Sequence, residues 1–420
     1  ESLTMLNDSA AIAEVFCEPS LQMVSFTITE KGYSLRNAAH ELMPAVQADM
    51  ENGPENCRSF MAQLTAMCIR RFRTCGTPLA LVSMDNCSHN GEKLQKAVME
   101  IASAWRDNGH ISEEEYAYLE NKVAFPWSMI DKITPRPNPS VEKQLLADGL
   151  EDISPFETAK HTFTAAFVNA EKPQYLVIED SFPNGRPPLE QAGVIITTRD
   201  VVNKVEKMKV CTCLNPLHTC LAVYGCILGY ESIAAEMKDE ELSRFITRMS
   251  HEEGMPFVVN PGVIDPEQFL NEVLTVRFPN PFMPDTPQRI ATDTSQKLSI
   301  RFGETIKAYI ASPDHEASEL RLIPLVLAGW LRYLIGVDDA GKPFACSPDP
   351  LLEAMQAHLA GMTLGGEIDA EKLRPILSDA SVFAVDLYEC GLAGKVIDYF
   401  KELMAGPGAV RATLKKYVNA

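Results

Sequence analysis

Residues 21–29 read LQMVSFTIT, a run rich in β-branched and other apolar residues that the turn-like EKG closes. This run predicts a strand. Residues 56–73 carry apolar side chains at helical spacing, and LALVSM at residues 79–84 predicts a second strand. Residues 91–107 return to the helical period. Strand, helix, strand and helix in this order indicate a doubly wound parallel sheet.

Asn86 lies two residues after the second predicted strand. Ligands of doubly wound sheets bind beyond the carboxyl ends of the strands, so Asn86 is a candidate ligand-binding residue. Further short strands are predicted at residues 175–179 and 194–198, and helix-period segments dominate from residue 200 onward. We therefore expect an α/β domain over residues 1–200 and an all-α domain over residues 201–420.

The length and charge of the chain narrow the class of protein. Its 420 residues are enough for two domains with sizeable cores. With 38 basic and 57 acidic residues, the formal net charge is -19, opposite in sign to a nucleic-acid-binding surface. Residues 322–337, the most apolar stretch, are interrupted by Arg332 and are shorter than the ~20 residues of a bilayer span. They predict a buried helix, and neither nucleic acid nor a membrane is an expected partner.

The cysteines and the first residues suggest where the protein resides. Its 11 cysteines are an odd number and lie mostly in apolar segments, which favours reduced thiols and a cytoplasmic location. The chain begins Glu-Ser-Leu-Thr without an initiator methionine or a signal-like segment, so we expect a fragment or a processed chain.

Residues 206–218, EKMKVCTCLNPLH, are the densest group of chemically versatile side chains: one acid (Glu206), one amine (Lys209), one amide (Asn215) and one imidazole (His218). Asn215 and His218 are three apart and would share a helix face. A structural alternative makes Asn215 the N-cap of a helix that begins at the following proline, and His218 an ordinary structural histidine.

Two other groups have open interpretations. Four cysteines near His218 raise the alternative of a zinc site: Cys211, Cys213, Cys220 and Cys226. Their spacing, C-x-C followed by steps of seven and six residues, matches no common structural zinc site. We predict no metal site. Arg289 and Lys297, in RIATDTSQK, form either a solvated basic face or an anion clamp, and their spacing does not decide between the two.

Several separated segments, in order, resemble the mannitol dehydrogenase family of polyol-specific long-chain dehydrogenases. The resemblance runs from about residue 20 to the C-terminus, and six segments carry it: SFTITEKGY at 25–33, SMDN at 83–86, FPWSMIDKITP at 125–135, IEDSFPNGRP at 178–187, KMKVCTCLNPLHT at 207–219 and RIATDTSQKL at 289–298. It implies a Rossmann-like cofactor domain followed by a helical substrate domain. It also implies metal-free oxidation of a secondary alcohol on a sugar acid or polyol, with NAD expected and NADP as the alternative.

The resemblance assigns roles to individual residues. Lys209 matches the catalytic lysine, the general base in alcohol oxidation and the general acid in ketone reduction. An amine acts near neutral pH only when its pKa is drawn well below ~10.4 by burial and nearby cations, and Lys297 and Arg289 are the candidate cations. Asn86 and Asn215 match two amides that polarise the carbonyl, as an oxyanion hole does.

The remaining predicted site residues match positions that contact the substrate or line the site. His218, Arg289 and Lys297 match substrate-binding positions, and Asp131 and Glu206 match acids that line the site. The planar guanidinium of Arg289 would suit a carboxylate substrate, which it can hold through two parallel hydrogen bonds.

The chain departs from the family pattern at two places. The glycine-rich turn of the family lies in a first βαβ unit, and no equivalent precedes Leu21, so we expect the Rossmann-like domain to lack that unit here. Lys209 also lies six residues before Asn215, where the family usually has five. One added residue rotates a helical position by about 100°, so we expect a π-bulge or a break near residues 211–214 to absorb it.

The predicted reaction is the interconversion of D-fructuronate and D-mannonate, because FPWSMIDKITPRP at 125–137 and KVCTCLNPLHT at 209–219 most resemble that branch of the family. Tagaturonate reductase and mannitol 2-dehydrogenase are the nearest alternatives. An alternative of another class is a catalytically inactive fragment that binds a sugar acid but no dinucleotide.

Overall fold

The computed structural model describes residues 3, 5, 7–37, 39–132, 137–157, 163–168, 170–172, 174–283 and 285–419. The last three residues of the FPWSMIDKITP segment, 133–135, lie outside this range. Up to residue 207 the helices and strands are α1 (Ser9–Cys17), β1 (Met23–Phe26), α2 (Pro44–Asn52), α3 (Phe60–Thr74), β2 (Leu79–Ser83), α4 (Asn90–Asp107), α5 (Glu113–Asn121), β3 (Val123–Ala124), β4 (Ser128–Asp131), α6 (Pro139–Ala147), β5 (Phe156–Glu157), β6 (Phe163–Thr164), β7 (Tyr175–Glu179), β8 (Ile195–Thr197) and α7 (Arg199–Lys207).

The rest of the chain is helical. After a π-helix at Met208–Cys213, the α-helices are α8 (Asn215–Leu228), α9 (Ile233–Glu236), α10 (Glu240–Arg248), α11 (Pro266–Glu272), α12 (Pro287–Ile290), α13 (Glu304–Ala311), α14 (Leu322–Leu334), α15 (Leu352–His358), α16 (Ala370–Leu377), α17 (Ala380–Phe383), α18 (Ala393–Leu403) and α19 (Ala409–Val418). Further π-helices lie at Met249–Gly254, Val273–Arg277 and Ser299–Gly303.

Contacts between residues group the chain into two compact units. Glu1–Lys132 and Gln174–Glu206 form the first unit, and Ile133–Pro173 and Lys207–Ala420 form the second. The predicted division at residue 200 stays a prediction. The excursion between β4 and β7, with its short β5–β6 hairpin, groups with the helices that follow residue 207.

The first unit contains the predicted parallel sheet. Strands β1, β2 and β3 lie in that order and pair in parallel, with Met23 opposite Ala80 and Leu79 opposite Val123. All five residues of β2 are buried, as expected for a parallel strand covered on both faces. The predicted succession of strand, helix, strand and helix is therefore confirmed.

A second sheet of the first unit is mixed. β4 pairs antiparallel with β7, and β7 pairs in parallel with β8. The predicted strands near residues 175–179 and 194–198 are confirmed. β4 was not predicted, because SMID has only four residues and places a serine and an aspartate at its ends.

The second unit is built around buried helices. Every residue of α14 is buried, which confirms the buried helix predicted there. Among the described residues, the run Arg199–Leu228 is long and apolar enough to span a membrane by length and composition. However, 78% of its most apolar window is buried inside the protein, as expected for a core helix.

Glu236, at the end of α9, is a buried acid in this core. It is 0% exposed, and no described residue forms a hydrogen bond with either carboxylate oxygen. Gly225 of α8 makes room for the Glu236 carboxylate, since a Cβ at residue 225 would lie 2.3 Å from Glu236 Oε1. Burial, together with the nearby charge of Asp239, raises the pKa of Glu236 well above its usual value. The folded state therefore holds a proton that the unfolded state releases above pH ~4.5.

We expect Glu236→Gln to flatten the pH dependence of stability. In the wild type this acid lowers the free energy of unfolding by up to ~1.4 kcal/mol per pH unit above pH ~4.5, until the raised pKa is reached. Glutamine does not titrate and removes that slope. Urea unfolding between pH 5 and 8 measures it, with Glu231→Gln, at an exposed position, as the control. A slope in Glu236→Gln equal to that of the wild type would contradict the assignment.

Candidate functional site

In the first unit, Asp85 ties together the loops that follow β1 and β2. Its carboxylate accepts the main-chain N–H groups of Ile28 (2.9 Å) and Thr29 (2.8 Å) and the hydroxyl of Tyr33 (2.5 Å). These contacts support Thr29 in the left-handed region, at φ 63°, which is costly for a β-branched residue. Asp85 and Tyr33 were not predicted as site residues, although SMDN and SFTITEKGY contain them.

Asn86 extends from this anchored loop. It is exposed, and the loop is fixed on its far side by Asn90, which is fully buried. The Asn90 amide donates to Asp85 O (3.0 Å) and Ser128 Oγ (2.9 Å), and its oxygen accepts the Ser128 N–H (3.0 Å). The loop after β2 is thus held to β4 at one end and to the β1 loop at the other. Sequence reasoning missed Asn90 as well.

The structure brings Glu206 to the same loop. His89 lies three residues after Asn86, and its main-chain N–H donates a hydrogen bond to Glu206 Oε2 at 3.3 Å. The His89 ring stacks on Trp127 with 4.4 Å between ring centroids. Asp131, the last residue of β4, is buried opposite Tyr175 of β7. Of the predicted residues of this unit, Asn86 therefore lies in this loop, and Glu206 of α7 contacts the same loop.

In the second unit, Lys209 lies in the π-helix Met208–Cys213 and is 3% exposed. The Leu214 N–H donates to Lys209 O at 3.1 Å, a hydrogen bond that spans five residues rather than four. The chain then breaks at Leu214 (φ -132°, ψ -61°) before α8 begins at Asn215. A π-bulge or a local break was predicted near residues 211–214, and the structure has a π-helix over Met208–Cys213 followed by a break at Leu214.

Asn215 and His218 share the first turn of α8. The N-cap position belongs to Leu214, which has no side-chain cap, so the alternative in which Asn215 serves as the N-cap is wrong. No described residue forms a hydrogen bond with the side-chain amide of Asn215. His218 stacks on Phe278 at 4.3 Å between centroids. It borders a cavity with an empty volume of about 330 Å³, lined also by Arg277 and Asp285.

One member of the predicted basic pair contacts an acid that lines this cavity. Arg289, whose side chain is 63% exposed, forms an ion pair with Asp285, four residues before it. The amine of Lys297 donates to Thr292 O. Burial and the charge of Arg301 lower the pKa of Lys297, and the charge of Arg289 adds to this effect. The structure therefore brings Arg289 and Lys297 within electrostatic range of each other.

The cysteines beside His218 form no metal site in the part of the chain that the structure describes. That part contains no cluster of three or more His, Cys, Asp or Glu residues arranged to hold a metal ion. Burial raises the pKa of Cys213 and Cys226 to about 12, which keeps these thiols protonated and poor as ligands or nucleophiles.

Models of known families match both halves of the chain: the mannitol dehydrogenase Rossmann domain over residues 1–191 and the mannitol dehydrogenase C-terminal domain over residues 201–404. The chain belongs to the mannitol dehydrogenase family. A D-mannonate oxidoreductase of Thermotoga maritima is 52% identical over 409 residues, 97% of this chain and 76% of that protein. A mannitol 2-dehydrogenase of Aspergillus fumigatus is 30% identical over 418 residues, 98% of this chain and 77% of that protein.

Solved structures of the family agree with the fold. The complex of Pseudomonas fluorescens mannitol 2-dehydrogenase with NAD and D-mannitol matches with a TM-score of 0.68 and 26% identity, covering 99% of this chain and 78% of that one. A substrate-free D-sorbitol dehydrogenase matches with a TM-score of 0.76 and 27% identity, covering 98% and 78%. The predicted family, and the predicted Rossmann-type domain followed by a helical domain, are confirmed. The chain is an oxidoreductase of this family.

Proposed function

We propose that the chain is an NAD-dependent oxidoreductase that interconverts D-fructuronate and D-mannonate. The observation that carries this proposal is the 52% identity with the Thermotoga maritima D-mannonate oxidoreductase over 97% of the chain. The mannitol 2-dehydrogenase of Aspergillus fumigatus is only 30% identical over a similar length. The substrate is accordingly a sugar acid rather than a neutral polyol.

The first unit fits one half of a dinucleotide. Its three parallel strands lie in sequential order, as in one mononucleotide-binding half of a Rossmann sheet. The residues that follow β1 and β2, residues 27–29 and 85–87, lie at the carboxyl ends of these strands, where that half would be held. NAD, when bound, accepts the hydride that the carbinol carbon of the substrate releases.

Lys209 is the proposed proton carrier. In oxidation its neutral amine removes the hydroxyl proton of D-mannonate, and in reduction its ammonium returns a proton to the oxygen of D-fructuronate. Its side chain is 3% exposed, as suits a proton carrier that acts in a site from which water is excluded. The π-helix and the break at Leu214 separate it from Asn215 along the chain.

Asn86 and Asn215 are the proposed amide donors. Each can donate a hydrogen bond to the oxygen that changes between alcohol and ketone, stabilising the negative charge that develops there. Asn215 suits this role because no described residue occupies its amide. Asn86 suits it because Asp85 and Asn90 fix the loop that carries it.

The remaining predicted residues bind and orient the substrate. His218, Arg289 and Lys297 are the proposed contacts to hydroxyl and carboxylate groups, and Asp131 and Glu206 are the proposed acids that line the site. Stacking on Phe278 fixes the ring of His218, and the bond to Thr292 O fixes the amine of Lys297.

Steady-state oxidation of NADH tests the proposal directly. We expect the highest kcat/KM with D-fructuronate, and lower values with D-tagaturonate and D-fructose. NADPH in place of NADH tests the cofactor. A higher kcat/KM with D-tagaturonate or D-fructose would replace the substrate assignment with one of these. A folded protein that reduces none of the three ketoses would contradict the proposed activity.

A further inference from the structure

Arg301 is a partly buried cation whose charge no described acid balances. It lies in the π-helix Ser299–Gly303, and its one side-chain hydrogen bond within the described residues goes to Thr219 Oγ1 at 2.6 Å. Burial lowers the pKa of Arg301 to about 10, so the guanidinium stays charged at neutral pH. Four of its five N–H donors are not used by any described residue.

Other buried arginines of the described chain are satisfied. Arg277 holds Glu171 through two hydrogen bonds, of 3.1 and 2.9 Å. Arg71 and Arg332 donate to several main-chain carbonyl oxygens each. Leaving a charged group buried without a partner is costly. Arg301 therefore differs from these arginines in having donors left for a ligand.

Arg301 lies beside elements that carry residues of the proposed substrate site. Lys297 precedes it by four residues, and the charge of Arg301 is one cause of the lowered pKa of Lys297. Thr219, its hydrogen-bond partner, adjoins His218 in α8. Arg301 also lines a cavity with an empty volume of about 220 Å³, together with Cys211 of the π-helix that carries Lys209. One guanidinium thus lies close to elements that carry three proposed site residues.

Arg289 is less suited to hold a carboxylate. Its side chain is 63% exposed and already paired with the carboxylate of Asp285. A substrate carboxylate would have to displace that partner, and at an exposed position the new ion pair would be worth little. At Arg301 a carboxylate would meet no such competitor among the described residues.

We propose that Arg301 binds the carboxylate of the substrate. The site would therefore prefer a sugar acid over the matching neutral sugar, which has a hydroxymethyl group in place of the carboxylate. This inference rests on the proposed function. A guanidinium can hold a carboxylate through two parallel hydrogen bonds, and the negative charge would also offset the repulsion between Arg301 and Lys297.

The test compares matched substrates in Arg301→Gln. D-Fructuronate and D-fructose differ at one terminal carbon, a carboxylate in the first and a hydroxymethyl group in the second. We expect Arg301→Gln to lower kcat/KM for D-fructuronate by about 10- to 100-fold, mainly through KM, and to change kcat/KM for D-fructose by less than about threefold. Arg321→Gln, at a position 57% exposed, should leave both values unchanged. Arg301→Lys should recover part of the loss, because it restores the charge.

A binding measurement separates failure of this inference from failure of the proposed activity. With NAD present, D-mannonate should raise the melting temperature of the wild type more than D-mannitol does, and Arg301→Gln should remove that difference. This difference in melting temperature would support the binding of the carboxylate by Arg301 even if turnover is absent. An equal loss of kcat/KM for both substrates, an unchanged preference in Arg301→Gln, or no difference between D-mannonate and D-mannitol in the wild type would overturn the inference.

Discussion

Replacing Lys209 with alanine should lower kcat for D-fructuronate reduction by about 10²- to 10⁴-fold, the usual contribution of a general acid or base. KM should change much less, because the lysine acts on a proton that moves in the chemical step. Lys207→Ala is the matched control, since Lys207 lies two residues away on the same helical run and is exposed. Its kcat should equal that of the wild type.

Two further results bear on the Lys209 prediction. Small primary amines added to the Lys209→Ala protein should restore part of the lost kcat, because they replace the missing proton carrier in the space that the side chain leaves. A melting temperature close to that of the wild type would show that the loss is chemical. Retention of kcat within about threefold in a folded Lys209→Ala protein would contradict the proton-carrier role.

Replacing Arg71 with methionine should lower the free energy of unfolding by about 3–5 kcal/mol. The guanidinium is fully buried and donates to the main-chain oxygens of Phe16 (2.8 Å), Glu18 (2.8 Å) and Leu21 (3.1 Å), so it joins the end of α1 to the start of β1. It also donates to Thr77 O (2.9 Å), just before β2. Methionine fills similar space but leaves these buried oxygens without donors.

Arg70→Met is the control for Arg71→Met, because Arg70 is the exposed neighbour on α3. It should change the free energy of unfolding by less than about 0.5 kcal/mol. Urea unfolding gives the size of the effect, and hydrogen exchange in β1 and β2 locates it in the first unit. A loss below about 1 kcal/mol in Arg71→Met would show that water replaces the guanidinium at these oxygens.

Local patterns predicted β1, α3, β2 and α4 because each is a run of apolar residues with a clear period. The order of these elements then implied the parallel sheet and the position of Asn86. β4 was not predicted because a four-residue strand takes its conformation from pairing with β7, which lies more than 40 residues later in the sequence. The grouping of residues 133–173 with the helical unit was also beyond local patterns, since it depends on contacts distant in sequence.

The π-helices show a related limit. Residues 266–277 lie where helix-period segments were predicted, but only Pro266–Glu272 is an α-helix, and Val273–Arg277 is a π-helix. Over a single turn, the apolar spacing of the two helix types is nearly the same, so the pattern alone does not separate them. Near the π-helix at Met208–Cys213, a π-bulge or a break was predicted because the spacing of Lys209 and Asn215 was compared with that of the family.

Some site residues could be predicted from the sequence, and others could be recognised only in the structure. Resemblance to the family pointed to Lys209 and to the asparagines, whereas Asp85, Asn90 and Arg301 were recognised only from their partners. Asp85 and Asn90 are common residues in loops, and their roles depend on bonds to Ile28 and Ser128, which are far away in sequence. Arg301 stands out only because the fold places no described acid beside it.

Reduction of D-fructuronate with NADH that carries deuterium at both C4 positions tests the central claim most directly. We expect mass spectrometry to find D-mannonate with one deuterium on the new carbinol carbon, formed at a rate that Lys209→Ala lowers by about 10²- to 10⁴-fold. Formation of no reduced product by the folded wild-type protein, of the epimeric sugar acid, or of D-mannonate without deuterium would contradict it.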